Sequence, residues 1–216
     1  MKPFILASTS PRRSDLLRRA GYRVEVRPSR VQESDSAHFS PCELTLLNAG
    51  LKARQVAQEH PHAVVLGADT VVALENKTFG KPADLDSAAA MLKELAGKTH
   101  LVVTAFCVVC HADRKAVVDA ELTYVTLKPL SDAQISRYHA LIDPLDKAGA
   151  YAAQSAAELV IQRVEGSFEN VVGLPLARVQ QALARFEVFP AEIAAERIGS
   201  ASSNSNPPAV ASGREP

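Results

Sequence analysis

No charge of either sign dominates this sequence of 216 residues. Lysine and arginine together number 24, as do aspartate and glutamate, so the formal net charge is zero. Proteins that bind nucleic-acid polymers usually carry an excess of basic residues, and the balanced charge therefore argues against a nucleic-acid partner. Any recognition of phosphate must instead depend on a few cationic side chains at particular positions.

Long apolar runs are also lacking. No segment approaches the roughly 18 uninterrupted apolar residues that a membrane-spanning helix requires. Near the N-terminus, one lysine precedes an apolar run that ends before Ser8, which is too short for the hydrophobic region of a signal peptide. The three cysteines, an odd number without a secretion signal, predict reduced thiols and no disulfide framework. We therefore expect a soluble, cytoplasmic protein without a membrane partner.

Three common motifs of nucleotide-binding proteins and hydrolases are absent. The sequence contains no G-x-x-x-x-G-K-[ST], no G-x-G-x-x-G and no G-x-S-x-G. Their absence removes the simple P-loop, Rossmann and hydrolase-elbow interpretations. Hydrophobic residues nevertheless make up 47% of the chain, which is enough for a sizeable core in one domain, or in two small lobes that share a core.

Strand-like and helix-like segments alternate along the chain, which predicts an α/β domain with a mixed central sheet and flanking helices. The clearest helix start is Ser40–Glu43, where serine precedes proline and glutamate follows three residues after the serine. Two β-rich runs, over 99–110 and 116–126, flank a polar turn and predict a long hairpin.

The end of the sequence differs in composition from the rest. From about Ile198 onward, serine, asparagine, alanine, proline and glycine predominate, which is typical of a disordered segment. We therefore predict a domain at residues 1–188 and a disordered tail at 189–216 that has no catalytic part.

The first thirteen residues predict an anion-binding turn. An apolar run is followed by Ser8-Thr9-Ser10-Pro11-Arg12-Arg13, in which Ser10 can act as the N-cap of a helix and Pro11 suits its first position. Backbone N–H groups, hydroxyls, the positive end of the helix dipole and two arginines would then converge on one spot. Arginines in a first helical turn oppose the dipole unless an anion compensates, which favours a phosphate chain over a solvated helix face.

Two carboxylates and two lysines are candidates to complete this site. Asp69, in Gly67-Ala68-Asp69-Thr70, follows a buried-looking run and is predicted at a strand end, where α/β folds place their sites. Together with Glu33 it could hold Mg²⁺ against a phosphate, although Glu33 alone better fits a solvated carboxylate. Lys52 and the lysine of Gly80-Lys81-Pro82 each fit a solvent-facing side chain better when considered alone, but that glycine and proline fix the direction of the second.

Six blocks of sequence occur in a fixed order. They are Leu6–Arg13, Gly67–Val72, Gly80–Pro82, Gly97–His100, Asp146–Tyr151 and Asn170–Pro175. The set resembles the Maf family of nucleoside triphosphate pyrophosphatases, also called septum formation inhibitor proteins, over about residues 4–187. The resemblance implies two lobes around a cleft, with a fold similar to that of inosine-triphosphate pyrophosphatases. It also implies hydrolysis of a nucleoside triphosphate substrate to the monophosphate and pyrophosphate with a divalent metal, Mg or Mn, and it suggests a homodimer.

The resemblance further implies a role for each candidate residue. Asp69 matches the catalytic carboxylate, which also binds the metal, and Glu33 matches a second acidic or metal-binding residue. The implied phosphate ligands are Ser8, Arg13, Lys52 and Lys81. The positions implied to select the base are Arg12, Thr70 and Gln154.

The segment from Asp146 to Gln154, in which Asp-Lys-Ala-Gly-Ala-Tyr is followed shortly by glutamine, resembles that of the family's dTTP/UTP branch. The 7-methyl-GTP branch has a different block there, with an acid where Gln154 stands. An amide offers a donor and an acceptor, which match the imide edge of uracil or thymine. The chain departs from the family pattern in Ala152-Ala153-Gln154-Ser155, which lacks the usual glycines, and in Gln32-Glu33, which lacks one carboxylate. Two alternatives stay open: a nucleotide-binding regulator of septum formation with little turnover, and a pyrophosphatase for modified nucleotides such as 7-methyl-GTP.

Overall fold

The residues that the structure describes form one mixed sheet of seven strands. The computed structural model describes residues 2–36, 38–75 and 77–193, and the predicted disorder of the tail from residue 194 onward lies outside them. The strands are β1 (Phe4–Leu6), β2 (Glu25–Val26), β3 (Val64–Leu74), β4 (Lys77–Phe79), β5 (Thr99–Cys110), β6 (Lys115–Leu127) and β7 (Ile161–Glu165). Their order is β2-β1-β3-β5-β6-β7, with β4 paired to β3. Strand β1 runs parallel to β2 and β3, and the other pairs are antiparallel, which confirms the predicted mixed sheet.

Helices flank this sheet. They are α1 (Pro11–Arg19), α2 (Pro41–Glu59), α3 (Leu85–Leu95), α4 (Asp132–His139), α5 (Ala157–Val160), α6 (Phe168–Val172) and α7 (Leu176–Ala184), with 3₁₀ turns at Pro144–Asp146 and Ala148–Ala150. Side chains alternate between the two faces of β1, so that Leu6 packs with Leu17 of α1 while Ile5 packs with Val56 of α2. A second apolar cluster, which includes Leu92 of α3, lies around the far end of β3.

The local predictions that depend on strong signals are confirmed. Ser40 and Glu43 form a complete capping box at the start of α2. Strands β5 and β6 pair along their whole lengths as the predicted hairpin. The three cysteines are free thiols. In the described part of the chain, no helix is both long enough and apolar enough to cross a membrane.

The prediction that Asp69 ends a strand was wrong. Strand β3 continues through Gly67, and Asp69 pairs with Ala105 near the middle of β5. The long β5 partner supplies hydrogen bonds on both sides of the glycine, so the glycine does not interrupt the strand. Its role is instead to allow another element to approach.

That element is α2. A Cβ atom on Gly67 would lie 2.5 Å from the carbonyl oxygen of Ala49 and 2.7 Å from the backbone nitrogen of Ala53. Both contacts are with helix backbone, which cannot rotate away as a side chain can, so only glycine permits this approach. The approach brings Asn48 and Lys52, which follow each other by one turn on α2, to the side of the sheet where Asp69 projects.

We predict that Gly67→Ala lowers the free energy of unfolding by about 1–3 kcal/mol or more, because the added methyl group overpacks a backbone contact. Urea denaturation followed by circular dichroism measures this change. Gly50→Ala is the matched control, because its Cβ would meet only the flexible end of Arg54 and alanine favours a helix by up to about 1 kcal/mol. Equal stability of the Gly67→Ala variant and the native protein would show that α2 can move away without cost.

Candidate active site

One cleft of about 730 Å³ brings together every residue for which the sequence predicts a role. These residues are Ser8, Arg12, Arg13, Glu33, Lys52, Asp69, Thr70, Lys81 and Gln154. They come from the turn before α1, the loop before α2, α2 itself, β3, the loop after β4 and the segment after the 3₁₀ turns. Residues far apart in sequence therefore share one cavity, although this placement by itself assigns no role to any of them.

Lys52 lies between the two predicted carboxylates. Its Nζ is 2.9 Å from Asp69 Oδ1 and 2.6 Å from Glu33 Oε2. Asp69 and Lys52 are both buried, whereas the Glu33 side chain is about half exposed. A buried ion pair is screened much less than a surface pair, so Asp69 and Lys52 fix each other's position.

Asn48 is a member of the site that sequence reasoning missed. Its amide nitrogen donates to Asp69 Oδ2 at 3.3 Å and to the backbone oxygen of Ser34 at 3.0 Å, while its amide oxygen accepts from the Ser34 N–H at 2.8 Å. It therefore ties the loop that carries Glu33 to the buried aspartate. The available signal was its spacing of four residues from Lys52, which places both on one face of a helix.

Arg13 is buried and makes three hydrogen bonds to neutral oxygens. Its Nε donates to the Gly173 carbonyl at 2.8 Å, Nη1 to Ser8 Oγ at 3.1 Å and Nη2 to Thr70 Oγ1 at 2.9 Å. Burial lowers the pKa of Arg13, and the nearby charge of Asp69 partly offsets this effect. The guanidinium keeps its proton in proteins, so a positive charge stands at the cleft wall in a fixed orientation.

Ser10 does not cap α1 as predicted. It has the extended backbone of an N-cap, but its side chain makes no cap hydrogen bond. Its N–H instead donates to Ser8 Oγ at 3.2 Å, so that Ser8 organises the turn. The first turn of α1 therefore lacks a side-chain cap, and its N–H groups are left available to an anion.

A second charged cluster centres on Asp146, whose role the sequence did not reveal. Its carboxylate lies 2.6 Å from Arg12 Nη1, 3.0 Å from Lys81 Nζ and 3.3 Å from Lys147 Nζ. Arg12 also donates to the Asp146 backbone oxygen at 3.1 Å. Burial would raise the pKa of Asp146, but the hydrogen bonds and charges of Lys81 and Arg12 outweigh burial and hold it well below its usual range.

Gln154 lies on the cleft at the end of a segment that buried polar contacts support from behind. The side chain of Gln154 is exposed, whereas Tyr151 is buried with its hydroxyl 2.8 Å from His100 Nε2. Tyr138 bonds both backbone groups of Ala152, accepting from the N–H at 2.8 Å and donating to the oxygen at 3.3 Å. These contacts hold the backbone that presents Gln154.

Comparison with known proteins identifies the family. The family described as Maf-like protein matches residues 3–186. This chain belongs to the Maf-like protein family. A relative from Pelotomaculum thermopropionicum named dTTP/UTP pyrophosphatase is 44% identical over 186 residues, covering 86% of this chain and 97% of that protein.

Other similar proteins have the same name. A dTTP/UTP pyrophosphatase from Bacillus cytotoxicus is 42% identical and covers 87% of this chain and 97% of its own length. One from Akkermansia muciniphila is also 42% identical, with 84% and 95% covered. Among solved structures, a HAM1 protein from Coxiella burnetii aligns with a TM-score of 0.40 at 15% identity, covering 59% of this chain and 73% of that chain.

We predict that acid weakens the support behind Gln154. Burial lowers the pKa of His100 to about 4, below the value near 6.5 that a histidine has in an unfolded chain. The folded protein therefore favours neutral His100, and the full contribution of this preference to the free energy of unfolding is present above pH 6.5. This contribution is lost as the pH falls from 6.5 to 4. Between pH 7 and pH 4, the native protein should lose on the order of 1–3 kcal/mol more unfolding free energy than His100→Gln.

Urea denaturation at a series of pH values measures this difference. His62→Gln removes an exposed histidine and should follow the native protein at every pH. Parallel pH curves for the native protein and His100→Gln would refute the prediction.

Proposed function

We propose that this protein hydrolyses dTTP or UTP to the nucleoside monophosphate and pyrophosphate. The observation that carries the proposal is the convergence of Arg13, Lys52 and Lys81 with the carboxylates of Asp69 and Glu33 on one cleft. Two relatives at 42–44% identity, each matched over 97% of its own length, are named dTTP/UTP pyrophosphatase. These names support the same reaction.

The cations of the cleft suit a triphosphate chain. In the free protein, Lys52 is paired with Asp69 and Glu33, and Lys81 with Asp146. A triphosphate carries more negative charge than any one of these carboxylates, so it competes for the same lysines. Arg13 needs no exchange of partner, because its hydrogen bonds hold it in place through neutral oxygens.

The proposed reaction is an attack of water on the α-phosphorus. The water oxygen forms a bond to the α-phosphorus, the bond from that atom to the bridging oxygen breaks, and pyrophosphate leaves. Asp69 orients the water and accepts its proton, while Arg13 and Lys81 stabilise the charge that develops on the departing oxygens. Asn48 keeps Asp69 in position through its hydrogen bond to Oδ2.

The residues present fit a divalent cation. Asp69 and Glu33 both direct an oxygen at the same point, where Lys52 Nζ now lies. Mg²⁺ is usually held by one or two carboxylates together with substrate phosphates and water, which is the set that this cleft would provide once a triphosphate draws Lys52 away. When bound, the cation would neutralise phosphate charge. No group of three or more acidic, histidine or cysteine residues that could hold a metal without substrate occurs among the described residues.

Selection of the base is proposed to rest on Gln154, Arg12 and Thr70. An amide can pair with both a donor and an acceptor of an imide edge, and such a site rejects bases that leave its groups unpaired. The alanines at 152 and 153 are buried, and a chain without glycine is less free to change its backbone conformation here. The name dTTP/UTP pyrophosphatase of the relatives supports thymine or uracil as the base that this site selects.

Two further expectations remain predictions. A reducing compartment keeps cysteines as free thiols, so the three free cysteines agree with a cytoplasmic location. A homodimer is testable by size-exclusion chromatography with light scattering.

Asp69→Asn should lower kcat for UTP or dTTP on the order of 10²-fold or more, because the amide orients water less well and cannot accept its proton. Pyrophosphate release from UTP, dTTP, CTP, GTP and 7-methyl-GTP measures both the activity and its preference. Asp132→Asn is the control, because Asp132 is exposed and pairs with Lys93 on the surface. Near-native turnover by Asp69→Asn would refute the role of Asp69, and release from no triphosphate would favour the nucleotide-binding regulator.

Removal of divalent metal should lower turnover by on the order of 10²-fold, since the charge of the phosphates would then be less fully neutralised. Excess EDTA followed by titration with Mg²⁺ or Mn²⁺ tests this expectation. Glu33→Gln should raise the Mg²⁺ concentration needed for half-maximal activity, because one carboxylate is lost. Full activity in excess EDTA would exclude the metal requirement.

A further inference from the structure

A chain of buried hydrogen bonds runs from Arg13 into the protein behind the cleft. Arg13 Nη2 lies 2.9 Å from Thr70 Oγ1, and Thr70 Oγ1 lies 2.9 Å from Thr104 Oγ1. Thr104 Oγ1 in turn lies 3.0 Å from the backbone oxygen of Asn170. Thr104 is fully buried on β5, and it does not line the cleft.

The direction of each bond in this chain follows from its two ends. A guanidinium can only donate, so Thr70 accepts from Arg13. A carbonyl oxygen can only accept, so the single hydroxyl hydrogen of Thr104 points to Asn170. The one hydrogen left between the two threonines belongs to Thr70, and Thr70 therefore donates it to Thr104.

Asn170 holds the far end of the chain in place. It is fully buried, and its amide nitrogen donates to the Val102 carbonyl at 3.2 Å and to Thr123 Oγ1 at 2.9 Å. The acceptor that takes the Thr104 hydrogen is thus fixed between two strands of the sheet. At the other end, Gly173 and Ser8 fix Arg13. Neither end can reverse, so the order of donors is set by the fold.

Thr70 is partly exposed and lines the cleft, so the direction of its hydrogen bonds decides what it offers to a substrate. A hydroxyl has one hydrogen and two lone pairs, and Thr70 has used the hydrogen and one lone pair. The group that it presents to a substrate is therefore an acceptor. An ionised phosphate oxygen also only accepts, so Thr70 does not pair with the phosphate chain.

We propose that Thr104 is a positioning residue that restricts Thr70 to accepting a hydrogen bond, so that Thr70 selects a donor group of the nucleoside. This inference rests on the proposed function. Two donors of this kind are common to UTP and dTTP: the N3–H of the base, where cytosine has an acceptor, and the 3′-hydroxyl of the sugar. The chemistry is the same for both, and substrates distinguish them.

The test compares kcat/KM for UTP, CTP and 3′-O-methyluridine triphosphate, whose 3′-oxygen can accept a hydrogen bond but cannot donate one. Thr104→Val keeps the shape of the side chain but removes the hydroxyl, so the Thr70 hydrogen becomes free to turn toward the cleft. Thr104→Ser keeps the hydroxyl. Thr45→Val is the matched control, because Thr45 is equally buried and its hydroxyl donates to the backbone oxygens of Pro41 and Cys42 on α2.

The native protein should prefer UTP by about 10-fold or more over CTP if the base is the donor, or over the 3′-O-methyl analogue if the sugar is the donor. Thr104→Val should reduce that preference at least about fivefold, because Thr70 can then donate to an acceptor as well. Thr104→Ser and Thr45→Val should keep it within about twofold, since neither removes the acceptor of the Thr70 hydrogen.

An unchanged preference in folded Thr104→Val would overturn the inference, as would a native protein that prefers UTP over neither analogue. If Thr104→Val does not fold by circular dichroism, Thr104→Ala removes the same hydroxyl and is judged by the same ratio. If the native protein hydrolyses none of these three triphosphates and does not hydrolyse dTTP either, the proposed function fails. The ratio of their Kd values by calorimetry then decides the role of Thr104 separately.

Discussion

The contact between α2 and β3 at Gly67 is the constraint on which the site depends. The helix backbone comes so close to the strand that no side chain fits between them. Because of this closeness, Asn48 and Lys52 reach Asp69, a strand residue whose short side chain could not extend to a more distant helix. Asn48 also binds the loop that carries Glu33, so one helix position orders two of the acidic candidates.

Under the proposed function, a chain without net charge binds a polyanion, and the pairing of charges in the cleft accounts for this. Lys52 pairs with both Asp69 and Glu33, and Arg12 and Lys81 both pair with Asp146. Each of these three cations is therefore held in the free protein by an internal carboxylate, which reduces repulsion among them and keeps them near one another. A ligand with several negative charges can replace these carboxylates locally, without an excess of basic residues elsewhere.

Sequence patterns predicted those parts of the fold that are determined locally, such as the capping box at Ser40 and the β5–β6 hairpin. The resemblance to a family predicted the residues that meet in the cleft. It could do so because a family's set of functional residues comes from a folded structure in which those residues lie together. The position of Asp69 within its strand could not be predicted from Gly67, because a glycine permits both a turn and a close approach. Asp146 was missed for a similar reason: its partners, Arg12 and Lys81, come from distant segments that only the tertiary structure brings together.

Arg13 differs from Arg12, Lys52 and Lys81, which pair with carboxylates. Its hydrogen-bond partners are neutral, and among the described residues no carboxylate forms a direct ion pair with it. A buried charge without a paired anion is unfavourable, and this cost is relieved when an anion enters. The exchangeable lysines can then adjust to the length of a phosphate chain, whereas Arg13 gives a fixed point. Thr70 is bonded to that fixed point and to Thr104. Under the proposed function, one rigid network would therefore join the recognition of phosphate charge to the recognition of a nucleoside donor.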